Sequence, residues 1–315
     1  SIFDNPPGGY HNTEGLSAEN VTIPKATQLS INTAYVQLEE QVGVAAAADV
    51  ARRMGIRNIP EPGHKGAPGK REGSFALGAR DVSVTDMAGA YAAIANNGVW
   101  CPPTLIESVT LPNGSTIKNP SKAACRQAVD PAVADTTAQV LGTVVSDGTG
   151  KSAALPGRPA GGKTGTAEDD GAAWFAGFTP QIAAAVWTGD PRSPKYTLHG
   201  VMGLDTVYGG TLPADLWRAS MISYLDKKPV IALPGIDPNY LLAPGPPAAG
   251  QITMVDVRGQ SSDQAVAMLT ALGLAPSTKP VDRPALMPAG IVVEQSQRPG
   301  IALGPGAPVV LSITN

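Results

Sequence analysis

The chain has 315 residues, of which 43% are hydrophobic and 16% are charged, and its formal net charge is −3. The hydrophobic content is enough for a sizeable core, which argues against disorder throughout, and the absence of any long Lys/Arg cluster argues against nucleic acid as a partner. No stretch approaches the ~18 apolar residues that a membrane span requires.

The first part of the chain shows helical periodicity. Apolar residues recur at helical spacing from Val21 to Leu38, and the triplet Ser30-Ile31-Asn32 separates them into two groups. Gly43 ends this segment, and the spacing predicts a further helix from Val44 to Met54. Another predicted helix, in "DVSVTDMAGAYAAIANNG", starts with Ser or Thr candidates for the N-cap and ends at an Asn-Gly pair.

The stretch "TLIESVTLPNGSTIK" predicts a β-hairpin. Apolar and polar residues alternate on both sides of Asn113-Gly114, and Asn-Gly is the strongest short hairpin sequence. A helix is then predicted to begin with Asp130 as N-cap and Pro131 at its first position. It leads into a long glycine-containing loop, "SDGTGKSAALPGRPAGG".

A meander of three strands is predicted next. The strands cover Lys163 to Ala167, Ala173 to Thr179 and Ile182 to Thr188, and their short connections favour antiparallel neighbours. A helix in "TLPADLWRASMISYL" follows. Its residues expected to face the core are Leu216, Trp217, Met221, Tyr224 and Leu225.

The composition changes after this helix. Residues 227–250 are rich in proline and predict an extended linker. Residues 251–315 contain a strand, a helix capped by Ser261 or Ser262, and two further strands, which predicts a small independent β-α-β-β unit. The predicted domains are therefore 1–226, 227–250 and 251–315.

The first predicted strand of the meander carries chemistry in the stretch "GGKTGT". Lys163 supplies a positive charge, Thr164 and Thr166 supply hydroxyls, and Gly165 leaves room for another molecule to approach the backbone. Free N–H groups of an edge strand can pair with an extended peptide or point at a developing oxyanion. Together these groups suit a peptide substrate that bears a carboxylate, although the same triplet also occurs by chance in ordinary strands.

The triplet Ser30-Ile31-Asn32 offers a second set of polar groups. The Ser30 hydroxyl could relay a proton, and the Asn32 amide could hold a substrate carbonyl. Taken alone, Ser-x-Asn is also compatible with a simple helix cap.

Ser-x-Asn followed by Lys-Thr-Gly, on these elements and in this order, resembles the motif set of β-lactamases and penicillin-binding proteins. The stretches "SINTAYVQL", "ALGARDVSVTDMAGAYAAIANNG", "GTGKSAALPGRPAGGKTGTAEDDGAAWFAGFTP" and "YGGTLPADLWRASM" are similar to the transpeptidase domain of class A, bifunctional penicillin-binding proteins. The tail from Gln251 to Asn315 is similar to a PASTA repeat. A transpeptidase domain followed by a PASTA repeat resembles an actinobacterial enzyme. The resemblance implies an α+β fold with an antiparallel sheet flanked by helices, incomplete at its N-terminus.

The resemblance implies a peptidoglycan D,D-transpeptidase that works through a serine acyl-enzyme. It implies that Ser30, Asn32, Lys163 and Thr166 are catalytic residues, and that Thr164, Gly165 and Thr166 bind the substrate. Stem peptides of peptidoglycan would be the substrates and β-lactams covalent inhibitors, on the outer face of the plasma membrane. No cofactor, metal or nucleic acid is expected, since the three histidines are scattered.

The attacking serine of the family belongs to a Ser-x-x-Lys motif that precedes Ser-x-Asn. The only match here, Ser115 to Lys118, lies after Ser30 and in the predicted hairpin, where the two side chains would point to opposite faces. We therefore expect this chain to be the C-terminal part of a longer enzyme, inactive without the missing N-terminal part, which would carry the membrane anchor.

Two further questions stay open at this level. Cys101 and Cys125 either pair or remain small buried hydrophobic residues; because they bracket the hairpin, we predict a disulfide if the protein is exported. The alternatives to transpeptidation are a D-alanyl-D-alanine carboxypeptidase, a β-lactamase, or a non-catalytic peptidoglycan-binding or scaffolding piece.

Overall fold

The structure, a computed structural model, describes residues 10–12, 21–69, 72, 74–118, 125–167, 170–193, 195–235, 250–281, 289–297 and 302–315. The chain divides into two compact units. One unit comprises Ser1–Leu105 and Ala128–Asp237, and the other comprises Ile106–Gln127 and Pro238–Asn315.

The helices within these described ranges are α1 (Ile23–Leu29), α2 (Asn32–Val42), α3 (Val44–Arg53), α4 (Val84–Ala95), α5 (Pro131–Asp147), α6 (Leu212–Leu225) and α7 (Ser262–Ala271). The strands are β1 (Val99–Trp100), β2 (Ser108–Thr110), β3 (Thr116–Lys118), β4 (Arg126–Gln127), β5 (Gly161–Thr166), β6 (Ala172–Thr179), β7 (Ile182–Gly189), β8 (His199–Val201), β9 (Leu204–Thr206), β10 (Ile252–Thr253), β11 (Ala275–Val281), β12 (Val292–Gln295), β13 (Ala302–Leu303) and β14 (Pro308–Thr314).

The helix boundaries follow the caps in the sequence. Thr22, Ser83 and Asp130 each accept a hydrogen bond from a backbone N–H in the first turn of α1, α4 and α5, respectively. Gly43, with a φ of 86°, ends α2 and precedes α3. The predicted break at Ser30-Ile31-Asn32 is confirmed, since α1 ends at Leu29 and α2 begins at Asn32.

The predicted meander forms the sheet of the first unit. Strands β5, β6 and β7 are neighbours in that order, and both pairs are antiparallel. Lys163 lies opposite Ala176, and Thr166 lies opposite Ala173. Among the described residues, β5 is therefore an edge strand of this sheet, as its sequence predicted.

Helices cover both faces of the sheet, and alternate residues of β6 define the two sides of the core. Phe175 packs edge-on against Trp217 of α6, with ring centroids 5.2 Å apart. Phe178 points to the opposite face, where it packs with Ala138 and Leu141 of α5. This α/β/α layering holds β5 between α5 and the residues that precede α6.

The predicted inner face of α6 was partly wrong. Trp217, Met221 and Leu225 are buried, but Leu216 is 46% exposed and Tyr224 is 51% exposed. These three residues lie four positions apart, and Pro213 and Ala214 in the first turn of α6 are buried as well. Leu216 lies about 100° around the helix from Trp217, whereas Tyr224 lies nearly in line with Trp217 but in the last turn of α6.

The first residues of the predicted linker are bonded to the first unit. In residues 227–235, the carbonyls of Lys228 and Pro229 accept hydrogen bonds from the Arg158 guanidinium, each at 2.7 Å. Leu233 packs against the cluster around Phe178. Residues 236–249 lie outside the described residues, and the domain boundaries 1–226, 227–250 and 251–315 stay a prediction.

The predicted hairpin is present as β2 and β3. Val109 lies opposite Ile117, and the connection contains Asn113 and Gly114. Ser115 donates a hydrogen bond to the Asn113 side chain at 2.7 Å, so the Ser115-to-Lys118 stretch is not helical. Cys101 and Cys125 are both disulfide-bonded in the structure.

The second unit contains the C-terminal fold. Helix α7, capped by Ser261, packs with a sheet in which β14 lies between β11 and β12, parallel to β11 and antiparallel to β12. Strand β11 was not predicted, because it contains two prolines, at positions 276 and 280. The two prolines are four residues apart in an edge strand, so the positions of their missing N–H groups face the same way, to the side away from β14.

A hairpin formed by β8 and β9 was also missed. It turns at Met202-Gly203, both with positive φ, and methionine is an unusual residue in that conformation. Within the described ranges, no helix is both long and apolar enough to cross a bilayer.

Candidate active site

Ser30 sits at the turn between α1 and α2 in a left-handed conformation, with φ 58° and ψ 51°. Its N–H donates to the Thr27 carbonyl at 3.2 Å, and the Ile31 N–H donates to the Ala26 carbonyl at 2.9 Å. This is the hydrogen-bond pattern of a Schellman motif, where glycine is the usual residue in the left-handed position. The serine therefore carries backbone strain, which is typical of functional sites.

Two hydrogen bonds at Thr27 stabilise the turn between α1 and α2. The Tyr35 hydroxyl of α2 donates to Thr27 Oγ1 of α1 at 2.5 Å, and Thr27 Oγ1 in turn donates to the Ile23 carbonyl. Burial raises the pKa of Tyr35, so the phenol stays neutral and keeps donating. Ile31 is fully buried between the two helices.

A preceding segment completes the start of α2, which lacks a side-chain cap at Ile31. Asn12 Oδ1 accepts a hydrogen bond from the Thr33 N–H at 3.0 Å. The Asn32 amide uses one of its two Nδ2 hydrogens to donate to the His11 carbonyl at 3.1 Å, and its other hydrogen and Oδ1 are not used by this contact.

Lys163 of β5 meets Ser30 directly. Its Nζ donates to Ser30 Oγ at 2.7 Å and to the Thr164 carbonyl at 3.0 Å. Burial lowers the pKa of Lys163 to about 8, because the charged form is largely removed from water. The fold has therefore joined two residues 133 positions apart in sequence.

The two threonines of β5 point to the face opposite Lys163, since side chains alternate along a strand. Thr164 Oγ1 lies 2.6 Å from Thr149 Oγ1, in the loop that follows α5. Thr166 Oγ1 accepts a hydrogen bond from the Gly209 N–H at 3.2 Å. Because this contact uses Thr166 as an acceptor, its own proton remains available for a ligand.

The backbone of β5 presents an open N–H at Thr166. Ala167 donates to the Ala172 carbonyl at 2.9 Å, so Ala167 belongs to the residues whose N–H and C=O face β6. The backbone groups of Thr164 and Thr166 then face the free edge, since they alternate along an antiparallel strand. The contact between Lys163 Nζ and the Thr164 carbonyl fits this direction.

Glycines permit close approach around β5. A Cβ added to Gly209 would lie 2.5 Å from the Gly165 carbonyl oxygen, so the chain before α6 rests on the backbone of β5. At Gly165, an added Cβ would meet Trp174 Cβ at 3.3 Å. Part of the clearance predicted for a ligand beside Gly165 is thus used by the protein itself.

The structure brings Ser30 and Lys163 into contact, whereas the contact that it shows for the Asn32 side chain is with the His11 carbonyl. The catalytic role of Asn32 stays a prediction. Sequence reasoning missed the roles of Asn12, Thr149 and Gly209. Thr149 and Gly209 lie in Gly-containing stretches, "GTGK" and "YGGT", which were noted for their resemblance but given no chemistry. Nothing in the local pattern marks Asn12, because its partner is 21 residues away.

His11 contributes its backbone carbonyl to the Asn32 contact, and the His199 ring bonds elsewhere. His199 pairs across its hairpin with Thr206, with 2.9 Å between Nδ1 and Oγ1, and its Nε2 lies 3.5 Å from an Asp170 oxygen. In the part of the chain that the structure describes, no cluster of three His, Cys, Asp or Glu side chains could hold a metal ion.

Comparison with known families agrees with this geometry. A model of the penicillin binding protein transpeptidase domain matches residues 4–196, and a model of the PASTA domain matches residues 252–315. The chain belongs to the penicillin-binding protein transpeptidase family. The resemblance inferred from the sequence, including the PASTA domain, is confirmed.

Its relatives include mycobacterial proteins. Penicillin-binding protein 1A of Mycobacterium tuberculosis is 33% identical over 226 residues, which cover 67% of this chain and 27% of that protein. The structure of PonA1 from the same organism in complex with penicillin V has a TM-score of 0.63 and 30% identity, covering 72% of this chain and 62% of that one. An imipenem acyl-enzyme complex of its penicillin-binding protein A has a TM-score of 0.55 and 27% identity, covering 70% and 53%.

The chain thus spans about a quarter of the length of the first curated relative. The matched fold contains both Ser30 and Lys163, within residues 4–196.

Proposed function

We propose that the chain forms part of a peptidoglycan D,D-transpeptidase, a serine acyl-transferase that penicillin inhibits. The observation that carries the proposal is the 2.7 Å contact between Lys163 Nζ and Ser30 Oγ. It joins the two motifs across one site, next to an open edge strand suited to an extended peptide. Two related structures support acylation by β-lactams in this family, since PonA1 forms a complex with penicillin V and penicillin-binding protein A forms an acyl-enzyme with imipenem.

Lys163 would act as a charge in this mechanism. With a pKa of about 8, most Lys163 side chains carry a proton at pH 7. The ammonium would attract the carboxylate of the substrate and would lower the proton affinity of a neighbouring base. Ser30, held by Lys163, would pass a proton toward the leaving amine.

The remaining residues would bind and polarise the peptide. Asn32 Oδ1 would accept from a substrate N–H, and the hydroxyls of Thr164 and Thr166 would donate to the substrate carboxylate. The Thr166 N–H on the open edge would form part of the oxyanion hole; losing one such donor typically raises the barrier by about 3 kcal/mol. Gly165 would give the substrate room beside the strand.

The attacking serine would belong to a Ser-x-x-Lys motif outside these 315 residues. Among these residues, the one Ser-x-x-Lys match begins at Ser115. Ser115 lies in a hairpin turn, where its hydroxyl donates to the Asn113 side chain. The chain alone would therefore form no acyl-enzyme. In the whole protein, the serine would attack the D-Ala-D-Ala peptide, release D-alanine, and pass the acyl group to a stem-peptide amine at the cell wall.

The test uses the full-length protein and a fluorescent penicillin. We expect Lys163→Ala to slow acylation about 100-fold, because the substitution removes the charge that attracts the substrate carboxylate. The thermal midpoint should stay nearly unchanged, because the lost charge is desolvated in the folded protein. Lys195→Ala, which removes an exposed lysine, is the matched control and should acylate at the wild-type rate. Equal rates for all three proteins would remove Lys163 from the mechanism.

A second measurement separates the acceptors. A D-Ala-D-Ala peptide is incubated with a labelled amine acceptor, and both products are followed. Incorporation of the amine supports transpeptidation. Hydrolysis without incorporation would instead indicate a carboxypeptidase.

A further inference from the structure

Thr149 lies in the loop Gly148–Gly150, which follows α5 and runs between both parts of the site. Its N–H donates to the Gln28 carbonyl at 3.2 Å, two residues before Ser30. Its side chain reaches the other part, where Thr149 Oγ1 lies 2.6 Å from Thr164 Oγ1. Thr149 thus contacts both helix α1, which ends one residue before Ser30, and the strand that carries Lys163.

The backbone around the loop is closely packed at two glycines. A Cβ on Gly148 would lie 2.4 Å from the Gln28 carbonyl oxygen, and a Cβ on Gly210 would lie 2.4 Å from the Thr149 carbonyl oxygen. Real Cβ atoms do not come this close, so both positions require glycine. The position of the Thr149 side chain is therefore determined by its neighbours on two sides.

Proton counting makes this contact directional. A threonine hydroxyl has one proton to donate and two lone pairs to accept with. Thr166 accepts from the Gly209 N–H, so its proton is free for an anion. Thr164 can offer its proton to the same anion only if the hydroxyl of Thr149 donates to Thr164 Oγ1.

We infer that Thr149 is a positioning residue that turns the Thr164 hydroxyl proton toward the carboxylate of the substrate, as the Gly209 N–H does for Thr166. The inference rests on the proposed function, in which both threonines bind that carboxylate. Thr149 itself does not touch the substrate. The Thr149 hydroxyl donates to Thr164 Oγ1, so the Thr164 hydroxyl proton is left for the substrate carboxylate.

The experiment compares two probes that differ only in the anion, benzylpenicillin and its methyl ester, in the full-length protein. We expect Thr149→Val to lower the acylation rate constant for benzylpenicillin about tenfold and to leave the rate constant for the ester within about twofold. Thr149→Ser, which keeps the hydroxyl, should restore the preference for the acid. The ratio of the two rate constants does not depend on the fraction of folded protein, so partial misfolding of a variant cannot imitate the effect.

The double variant adds a second criterion. If Thr149 acts through Thr164, then Thr149→Val should have no further effect on the acid-to-ester ratio in a Thr164→Val background. An unchanged ratio in Thr149→Val, or equal losses with and without Thr164, would overturn the inference. Failure of the wild-type protein to acylate with either probe would instead overturn the proposed function, and the inference with it.

Discussion

Ser30 allows a direct test of how the site is built, because its backbone conformation and its hydroxyl can be separated. The residue has a φ of 58°, in the left-handed region. Ser30→Ala removes the hydroxyl and keeps a Cβ in that conformation. Ser30→Gly removes the hydroxyl and the steric conflict together, so the two variants differ only in the backbone term.

The size of that term follows from known conformational costs. An L-residue in the left-handed region costs about 1–2 kcal/mol, and glycine loses about 0.5–1 kcal/mol through its greater freedom in the unfolded chain. Ser30→Gly should therefore have a free energy of unfolding about 0.5–1 kcal/mol higher than that of Ser30→Ala. At roughly 2–4 °C per kcal/mol for a domain of 150–250 residues, the midpoints should differ by about 1–4 °C.

The assay is thermal and urea unfolding of both variants in parallel, with acylation by fluorescent penicillin measured on the full-length protein. We expect both variants to lose acylation by a similar factor, because neither has the hydroxyl that Lys163 contacts. A Ser30→Ala protein as stable as Ser30→Gly would refute the strained turn. It would then follow that Ser30 is not held in the left-handed conformation.

Three further predictions follow from the same contacts. The acylation rate constant should fall as pH rises through about 8, because Lys163 loses its proton there and the charge is what attracts the carboxylate; a rise through this pH would assign Lys163 to base chemistry instead. Asn12→Ala should lower the free energy of unfolding by about 1 kcal/mol, as expected for a lost helix cap, whereas Asn12→Asp should keep the cap; equal stability of the wild-type and alanine proteins, in urea unfolding, would contradict the contact with Thr33. Alkylation of exported, unreduced protein should label neither Cys101 nor Cys125, and mass spectrometry that found both labelled would disprove the disulfide.

Local patterns predicted most of the fold of the first unit. Helix caps such as Ser83 and Asp130 use neighbours three residues away or closer, so the sequence shows donor and acceptor together. The meander was equally visible, because an alternating or continuous apolar run between short turns has few other solutions. Burial on α6 was harder to predict, since the apolar positions 216 and 224 satisfy the same periodicity as the buried ones.

The site was predictable only as far as its motifs. Ser30 and Lys163 could be named from the sequence, but their contact depends on how α1, α5 and β5 pack. Thr149, Asn12 and Gly209 act through bonds that span 15, 21 and 43 positions, respectively, and no local pattern specifies such partners. Strand β11 was missed for a related reason. Its two prolines fit in the strand because the positions of their missing N–H groups face away from the neighbouring strand β14, and the sequence alone does not show which strand that is.

The most direct measurement is a crystal structure of the full-length protein acylated by penicillin. The account predicts the drug carboxylate within hydrogen-bonding distance of the Thr164 and Thr166 hydroxyls, with Lys163 Nζ still in contact with Ser30 Oγ. A drug bound away from β5, or Ser30 and Lys163 on separate surfaces, would contradict it.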